Sequence, residues 1–278
     1  MSSVPVLPFL DGIRLATVDD LSRIAIVAAA GFFHSPTFHY QRVHHAAYPE
    51  DTLLSYWTEY DQAMKDPMSV VLVAEDVLKE NEGDDEYPAL KNAATYRPMN
   101  SSIGSKVVVG VASICMGNGS AYTGMFQAMC ELASSSESRL IPANPNRDCC
   151  KERVRIYNEA TAPAKARHLA GLMRLSTLSV HPAYWRRGHA SRLFSWSTRL
   201  ADLDGVPMGI SAVSQGAIIA ARAGFEEREL VRVPRACGDS ATSSVDGPKG
   251  VEMELWVAIR HPCGTPASRE SATSLESQ

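Results

Sequence analysis

The sequence predicts an α/β protein with a mixed, mostly antiparallel central sheet flanked by helices and broken by two insertions. Three observations predict it. Late in the chain, strand-length apolar runs alternate with helix-length amphipathic patterns, which places helices on both faces of a sheet. Early in the chain and at its end, strand runs follow one another directly, so neighbouring strands pair there. The balance is that of a globular protein: 278 residues, 45% hydrophobic and 21% charged, enough for one large domain or two small ones.

The elements follow in order. "GIRLATVDDLSRIAIVAAAGFF" gives a short strand, then Asp19 or Asp20 as a helix cap and an apolar-rich helix from about Leu21. "DTLLSYWTEYDQAMK" is a second helix that Pro67 closes, and "SVVLVAED" is a strand by its β-branched run. Residues 76–106 are polar and punctuated by Pro88, Pro98 and Gly104, as expected of a solvated insertion. "KVVVGVASICMG" resumes the sheet. A second insertion over 119–170 contains "GMFQAMCELASS" and "KERVRIYNEATAPAKARHLAGL", two helical pieces. "LMRLSTLSV" is the next strand. The helix after Gly188 puts Ala190, Leu193, Phe194, Ser197, Leu200 and Ala201 on one face, and Gly205 ends it. "VPMGISAV" is a strand, and "SQGAIIAARAGF" is a short helix capped by Ser214 and stopped at Gly224. "ELVRV" and "VEMELWVAI" close the sheet, the latter with Val251, Met253, Leu255, Val257 and Ile259 on one face. One domain is expected over residues 1–263, with a disordered tail over 264–278.

Composition narrows the function. A net charge of −4 gives no global attraction to nucleic acid or to an anionic membrane. The N-terminus has no basic, apolar signal pattern, and no run approaches membrane-spanning length. Cysteines 115, 130, 149, 150, 237 and 263 show no CxxC spacing, so a disulfide framework is not expected and the reading is cytoplasmic.

The chemistry concentrates in "RLSTLSVHPAYWRRGHASRLF", where a strand meets a cationic glycine turn and a helix start. Free amides and the helix dipole favour an anion there, glycine lets it approach, and arginines add charge. A tight turn with two solvated arginines is the bland alternative. The stretch is neither a Walker loop nor GxGxxG.

"LSTLSVHPAYWRRGHASRLFSW", followed after a strand by "ARAGF", resembles the GCN5-related N-acetyltransferase (GNAT) superfamily. Its acyl-CoA motif has the form Val-x-Pro-x-x-Gln/Arg-x-x-Gly-x-Gly/Ala, and Val180, Pro182, Gly188 and Ala190 stand at matching places. The resemblance implies a GNAT-like fold and transfer of an acyl group, most simply acetyl from acetyl-CoA, to an amine of a small molecule or a peptide. It implies that the backbone of Leu178, Ser179 and Val180 pairs with the pantetheine arm, and that the amides of Arg186, Arg187, Gly188, His189, Ala190 and Ser191 bind the pyrophosphate. A splay between this strand and the next would open the slot.

Two family positions are altered. Trp185 replaces the Gln/Arg, and Ala220 stands where a tyrosine would protonate the leaving thiolate. The strand also lacks a glutamate base and offers Arg174, Ser176 and Thr177 instead. No catalytic residue is therefore assigned; the thiolate's proton is left to water or a neighbour such as Ser214, and Glu254 is a weak base candidate. These losses keep alive a GNAT fold that binds acyl-CoA without transfer, or performs other thioester chemistry such as decarboxylation. His34, His39, His44 and His45 do not form a known metal signature, and no metal is expected. The acceptor pocket is expected beside them, with Tyr40, Tyr48, Trp57 and Tyr60 as its aromatic wall; His168 and His181 are read as structural or exposed. The partners expected are a small amine, with neither nucleic acid nor membrane.

Overall fold

The computed structural model describes residues 7–8, 12–93, 103–126, 146–236 and 251–263. Seven strands form one sheet: β1 Ile13–Leu15, β2 Ser69–Val77, β3 Lys106–Cys115, β4 Met173–Val180, β5 Met208–Ala212, β6 Glu226–Pro234 and β7 Val251–Arg260. Their order across the sheet is β1-β2-β3-β4-β5-β7-β6. Only β4 and β5 run parallel; the other neighbours pair antiparallel. The helices are α1 Leu21–Phe32, α2 Pro36–Gln41, α3 Pro49–Lys65, α4 Pro88–Asn92, α5 Lys151–Leu169, α6 His189–Asp204 and α7 Ser214–Arg222. The expected mixed, mostly antiparallel sheet with flanking helices is therefore present.

Strand alternation assigns the two faces. In β2, Val71 and Val73 pack under α1 and α3, while Val70, Leu72 and Ala74 face the core beneath α6. Helix α1 is buried along most of its length, from Leu21 through Ala30. In α6 the expected face is buried at Leu193, Phe194, Ser197, Leu200 and Ala201. Helix α5 covers β6 and β7 through Ala164 and Leu169 against Val231, Val233, Leu255 and Val257.

The helix starts agree with the sequence in part. Thr17 and Asp20 form a reciprocal capping box ahead of α1. Helix α7 begins at Ser214 rather than after it, with Val213 as the cap, and ends before Gly224 at φ 86°.

The segment after β2 departs from expectation. It is not solvated throughout: Glu82, Glu86, Tyr87 and Leu90 are buried. Its acidic residues reach inside because partners from distant segments meet them. Arg23 grips both Glu82 oxygens at 2.6 Å, the Tyr184 hydroxyl donates to Glu82 at 2.6 Å, and Glu86 pairs with His181. A buried carboxylate survives only with such partners. The helical piece expected at "GMFQAMCELASS" lies largely outside the described residues, as does the tail from Gly264. Among the described residues, no helix is long and apolar enough to cross a membrane, and Cys115, Cys149, Cys150 and Cys263 carry free thiols.

Candidate active site

The parallel pairing of β4 with β5 is confined to Met173–Met208 and Arg174–Gly209. Beyond Arg174 the strands diverge, although β4 continues to Val180 and β5 to Ala212. On its other side β4 stays paired with β3, apart from a bulge that leaves Ser176 without a partner between Leu175 and Thr177. The divergence leaves one edge of β4 facing a slot. That slot opens into a cavity of about 670 Å³ whose walls include Leu175 to Val180 of β4 and Ile210 to Ala212 of β5.

The glycine turn stands at one end of this cavity. Gly188 caps α6 in the left-handed region at φ 84°, and Arg186 also has positive φ, at 61°. The first helical bond runs from the Arg192 amide to the Gly188 carbonyl, at 3.0 Å. The amides of His189, Ala190 and Ser191 therefore precede the ladder and point out of the helix end. A side chain at Gly188 would meet nothing within 4 Å, so the approach to these amides is open. The residues present fit an anionic group such as a pyrophosphate.

Arg186, Gly188, His189, Ala190 and Ser191 all border the cavity, as do Leu178, Ser179 and Val180. Arg187 does not. Its guanidinium pairs with Asp76 at 3.1 Å and lies 5.9 Å from the Tyr184 ring. The His189 imidazole is likewise turned inward, 2.8 Å from Asp76. Burial lowers its pKa despite that carboxylate. The side chains on either side of the turn thus hold the loop, and its main chain faces the cavity. Ser179 also directs its hydroxyl away, donating to the Val27 carbonyl of α1 at 3.4 Å.

Trp185 has a role that its replacement of Gln/Arg did not suggest. It is 45% exposed, and its indole N–H donates to the Val180 carbonyl at 2.7 Å. His34 meets the indole edge-on, with ring centroids 4.8 Å apart. The Val180 carbonyl is therefore engaged, which narrows the main-chain pairing expected at that residue.

Ala220 is 1% exposed and packs in the core under α6 with Phe194 and Phe225. It is not part of the cavity wall, where α7 instead contributes Gln215, Gly216 and Ile219. Ala220→Tyr is thus expected to overpack the core, costing ~1–3 kcal/mol, without raising turnover. Melting and single-turnover transfer measured on the same preparation test this; a stable variant with faster transfer would overturn it. Ser214 is exposed and lies off the wall. Ser211 of β5 does line the slot, and its buried hydroxyl oxygen has no hydrogen-bond partner.

The acceptor side also differs from expectation. None of Tyr40, Tyr48, Trp57 and Tyr60 lines the cavity. Tyr40 is buried, donating to the Pro234 carbonyl at 2.9 Å, and Tyr48 lies under Arg147. Trp57 packs against the core around α1, and Tyr60 donates to Thr177 Oγ1 at 3.0 Å. Helix phase is the reason: one residue turns the side chain by about 100°, so in α3 Tyr56 and Glu59 face the cavity and Trp57 does not. The aromatic lining includes Phe32, Phe38, Tyr56 and Tyr157 instead. Glu254 is spent on Arg232 at 3.1 Å, and its neighbour Leu255 reaches the cavity. Arg174 lies below the point of divergence and off the wall, whereas Ser176 and Thr177 are on it.

The histidines also sort differently from one another. His39 and His45 pack with Phe33 and Phe38 in an aromatic cluster. His181 is buried, its Nδ1 accepting from the Ala183 amide at 3.3 Å. With Glu82 and Glu86 it forms the group of metal-type ligands found among the described residues, their atoms within 4.8 Å of one another. Both oxygens of Glu82 are already held by Arg23, and one also accepts from the Tyr184 hydroxyl.

No family model matches the chain. An acetyltransferase of Stachybotrys chartarum is 30% identical over 230 residues, covering 83% of this chain and 86% of the relative. Among solved structures, the chain is similar to a Corynebacterium glutamicum protein described as histone acetyltransferase HPA2 and related acetyltransferase, with 13% identity, 93% and 99% of the two chains covered and a TM-score of 0.49. It is also similar to the PaiA N-acetyltransferase of Thermoplasma acidophilum in complex with coenzyme A, with 10% identity, 90% and 97% covered and a TM-score of 0.41. With an acetyltransferase relative spanning most of both chains and the Val180–Ala190 turn standing at the mouth of a divergent β4–β5 pair, the chain belongs to the GCN5-related N-acetyltransferase superfamily.

Proposed function

We propose that the protein transfers acetyl from acetyl-CoA to the amine of a small molecule by direct attack on the thioester. The observation that carries this reading is the divergence of β4 from β5 beside the Gly188 turn. Free main-chain groups and an anion-binding helix end there share one cavity with an aromatic pocket. The amides of Arg186, Gly188, His189, Ala190 and Ser191 take the pyrophosphate, while Arg187 stands off the cavity with its side chain on Asp76. The edge of Leu178, Ser179 and Val180 left unpaired by β5 guides the pantetheine arm into the slot, with Val180 contributing less because Trp185 already holds its carbonyl. The thioester then lies against the middle of β4, where the amine attacks its carbonyl carbon. The C–S bond breaks and the sulfur takes up a proton. Ser176, Thr177 and Ser211 stand on the slot walls in place of the missing tyrosine; the Ser211 hydroxyl oxygen is buried, so the sulfur takes its proton from water. Holding the reactants in line supplies much of the acceleration, and general acid–base help adds typically ~10²–10⁴-fold.

CoA at ~100 times its dissociation constant should stabilise the fold by about 2.7 kcal/mol. Acetyl-CoA mixed with a panel of small amines should release free thiol. Unchanged melting with saturating CoA and acetyl-CoA would remove the acyl-CoA reading. Binding without thiol release across the panel would favour a non-transferase member of the fold.

A further inference from the structure

We propose that Glu59 is the acceptor-side carboxylate: it holds the protonated amine of a substrate with an apolar, aromatic-sized body and accepts the proton that this amine must lose. The inference rests on the acetyl-transfer reading above and names the substrate class for it.

Four observations lead to it. Glu59 is the one carboxylate among the described residues that line the cavity, and it makes no hydrogen bond or ion pair to any described residue. The nearest cation, Arg42, is already occupied: it pairs with the buried Asp148, donates to Ser55 Oγ at 2.6 Å and lies 4.8 Å from the Tyr56 ring. Glu59 also stands next to Tyr60, whose hydroxyl ties α3 to Thr177 in the middle of β4. Glu59 and Thr177 line the same cavity. Finally, the surrounding wall of Phe32, Phe38, Tyr56, Tyr157 and Leu255 is apolar or aromatic. Glu59 itself is solvent-exposed, so its carboxylate stays hydrated until a cationic substrate with an apolar body fills the space between it and this wall.

The cavity consequently has two electrical ends. The Arg186 and α6 end suits an anion, and the Glu59 end suits a cation. A substrate carrying its own carboxylate beside the amine would meet Glu59 with like charge, because Arg42 is neutralised by Asp148.

Glu59 is solvent-exposed where it lines the cavity, and its partly apolar surroundings push its pKa above the ordinary carboxylate value, with Arg42 opposing. A base whose pKa approaches the working pH is the more useful one. The proton of the ammonium moves to the Glu59 carboxylate, and the freed nitrogen lone pair forms the C–N bond as the C–S bond breaks. Coenzyme A leaves as the thiol, and Glu59 returns its proton to solvent. The charges and titrating groups around Glu59 are Arg42 and, on its own helix, Tyr56 and Tyr60; His34 and Tyr157 line the same cavity.

The test uses the CoA-bound protein, with phenethylamine and the neutral phenethyl alcohol as probes in calorimetry. Wild type should bind the amine more tightly than the alcohol by about 10- to 100-fold, the worth of a charge-assisted bond. Glu59→Gln should abolish that preference while keeping its CoA-induced melting shift. In acetyl transfer to phenethylamine, the variant should lose ~10²–10⁴-fold in kcat, together with the acidic limb of the pH–rate profile. A wild type indifferent to the amine's charge would overturn the inference. So would a Glu59→Gln variant that keeps either the preference or the acidic limb. Charge-selective binding with no transfer to any amine would sink the transferase reading alone and leave Glu59 as the cation site.

Discussion

Gly188→Asp is expected to remove CoA binding while the fold stands. Gly188 is the left-handed cap of α6, and an added side chain there meets nothing within 4 Å. Steric conflict within the protein is therefore not the issue. The conformation itself costs roughly 1–2 kcal/mol for a residue with a side chain. Aspartate is among the residues that tolerate it, and a carboxylate at a helix N-terminus offsets part of that cost. A pyrophosphate docked on the adjacent amides would meet this carboxylate at close range. Two like charges roughly 4 Å apart at an effective dielectric of about 20 repel by about 4 kcal/mol, on the order of a thousandfold in affinity. Gly188→Ala carries the backbone strain without the charge and is the control; it should weaken CoA far less. Calorimetric titration with CoA and thermal melting of both variants decide the matter. A folded Gly188→Asp protein that binds CoA like wild type would place the cradle elsewhere.

Gly31→Ala should damage both stability and the site. Gly31 lies near the end of α1 against β4, where a Cβ would run into Ser179 Oγ and come within 2.8 Å of the Val180 carbonyl oxygen. Main-chain atoms cannot swing aside as a long side chain does. Either α1 lifts or the end of β4 shifts, and overpacking of this kind typically costs ~1–3 kcal/mol. In a chain of this size that corresponds to a Tm lower by roughly 2–12 °C. The displaced atoms belong to the strand edge proposed to guide the pantetheine arm, and the Val180 carbonyl also carries the Trp185 indole. CoA affinity should therefore fall in the fraction that remains folded. An unchanged Tm together with unchanged CoA binding would show that α1 and β4 are not in rigid contact here.

The strand-turn-helix from Met173 to Asp204 was readable because its determinants are local. Alternation marks the strand, His181-Pro182 ends it, and a glycine with positive φ starts α6. The divergence of β4 from β5 was legible only through family resemblance, since nothing in "VPMGISAV" says where pairing stops. The acidic stretch after β2 was misread for a related reason. Its composition is that of solvated chain, and its burial depends on Arg23, His181 and Tyr184, distant residues that no local pattern connects to it.

By itself, then, the sequence determined the strands and the longer helices, though not the short α2 and α4, and the place where an anion can meet a helix end. These follow from periodicity, turn chemistry and backbone conformation, which act over a few residues. Tertiary structure alone decided which side chains share the cavity. In α3, Tyr56 and Glu59 face the slot while Trp57 does not, because packing on α1 and β4 fixes the rotation of the helix. The same packing buries Ala220 and leaves Ser211 on the slot wall. It also gives Arg42 to Asp148, which leaves Glu59 unpaired. Side-chain pairings join residues as far apart as Tyr40 and Pro234, 194 positions along the chain, and only the folded chain brings them together.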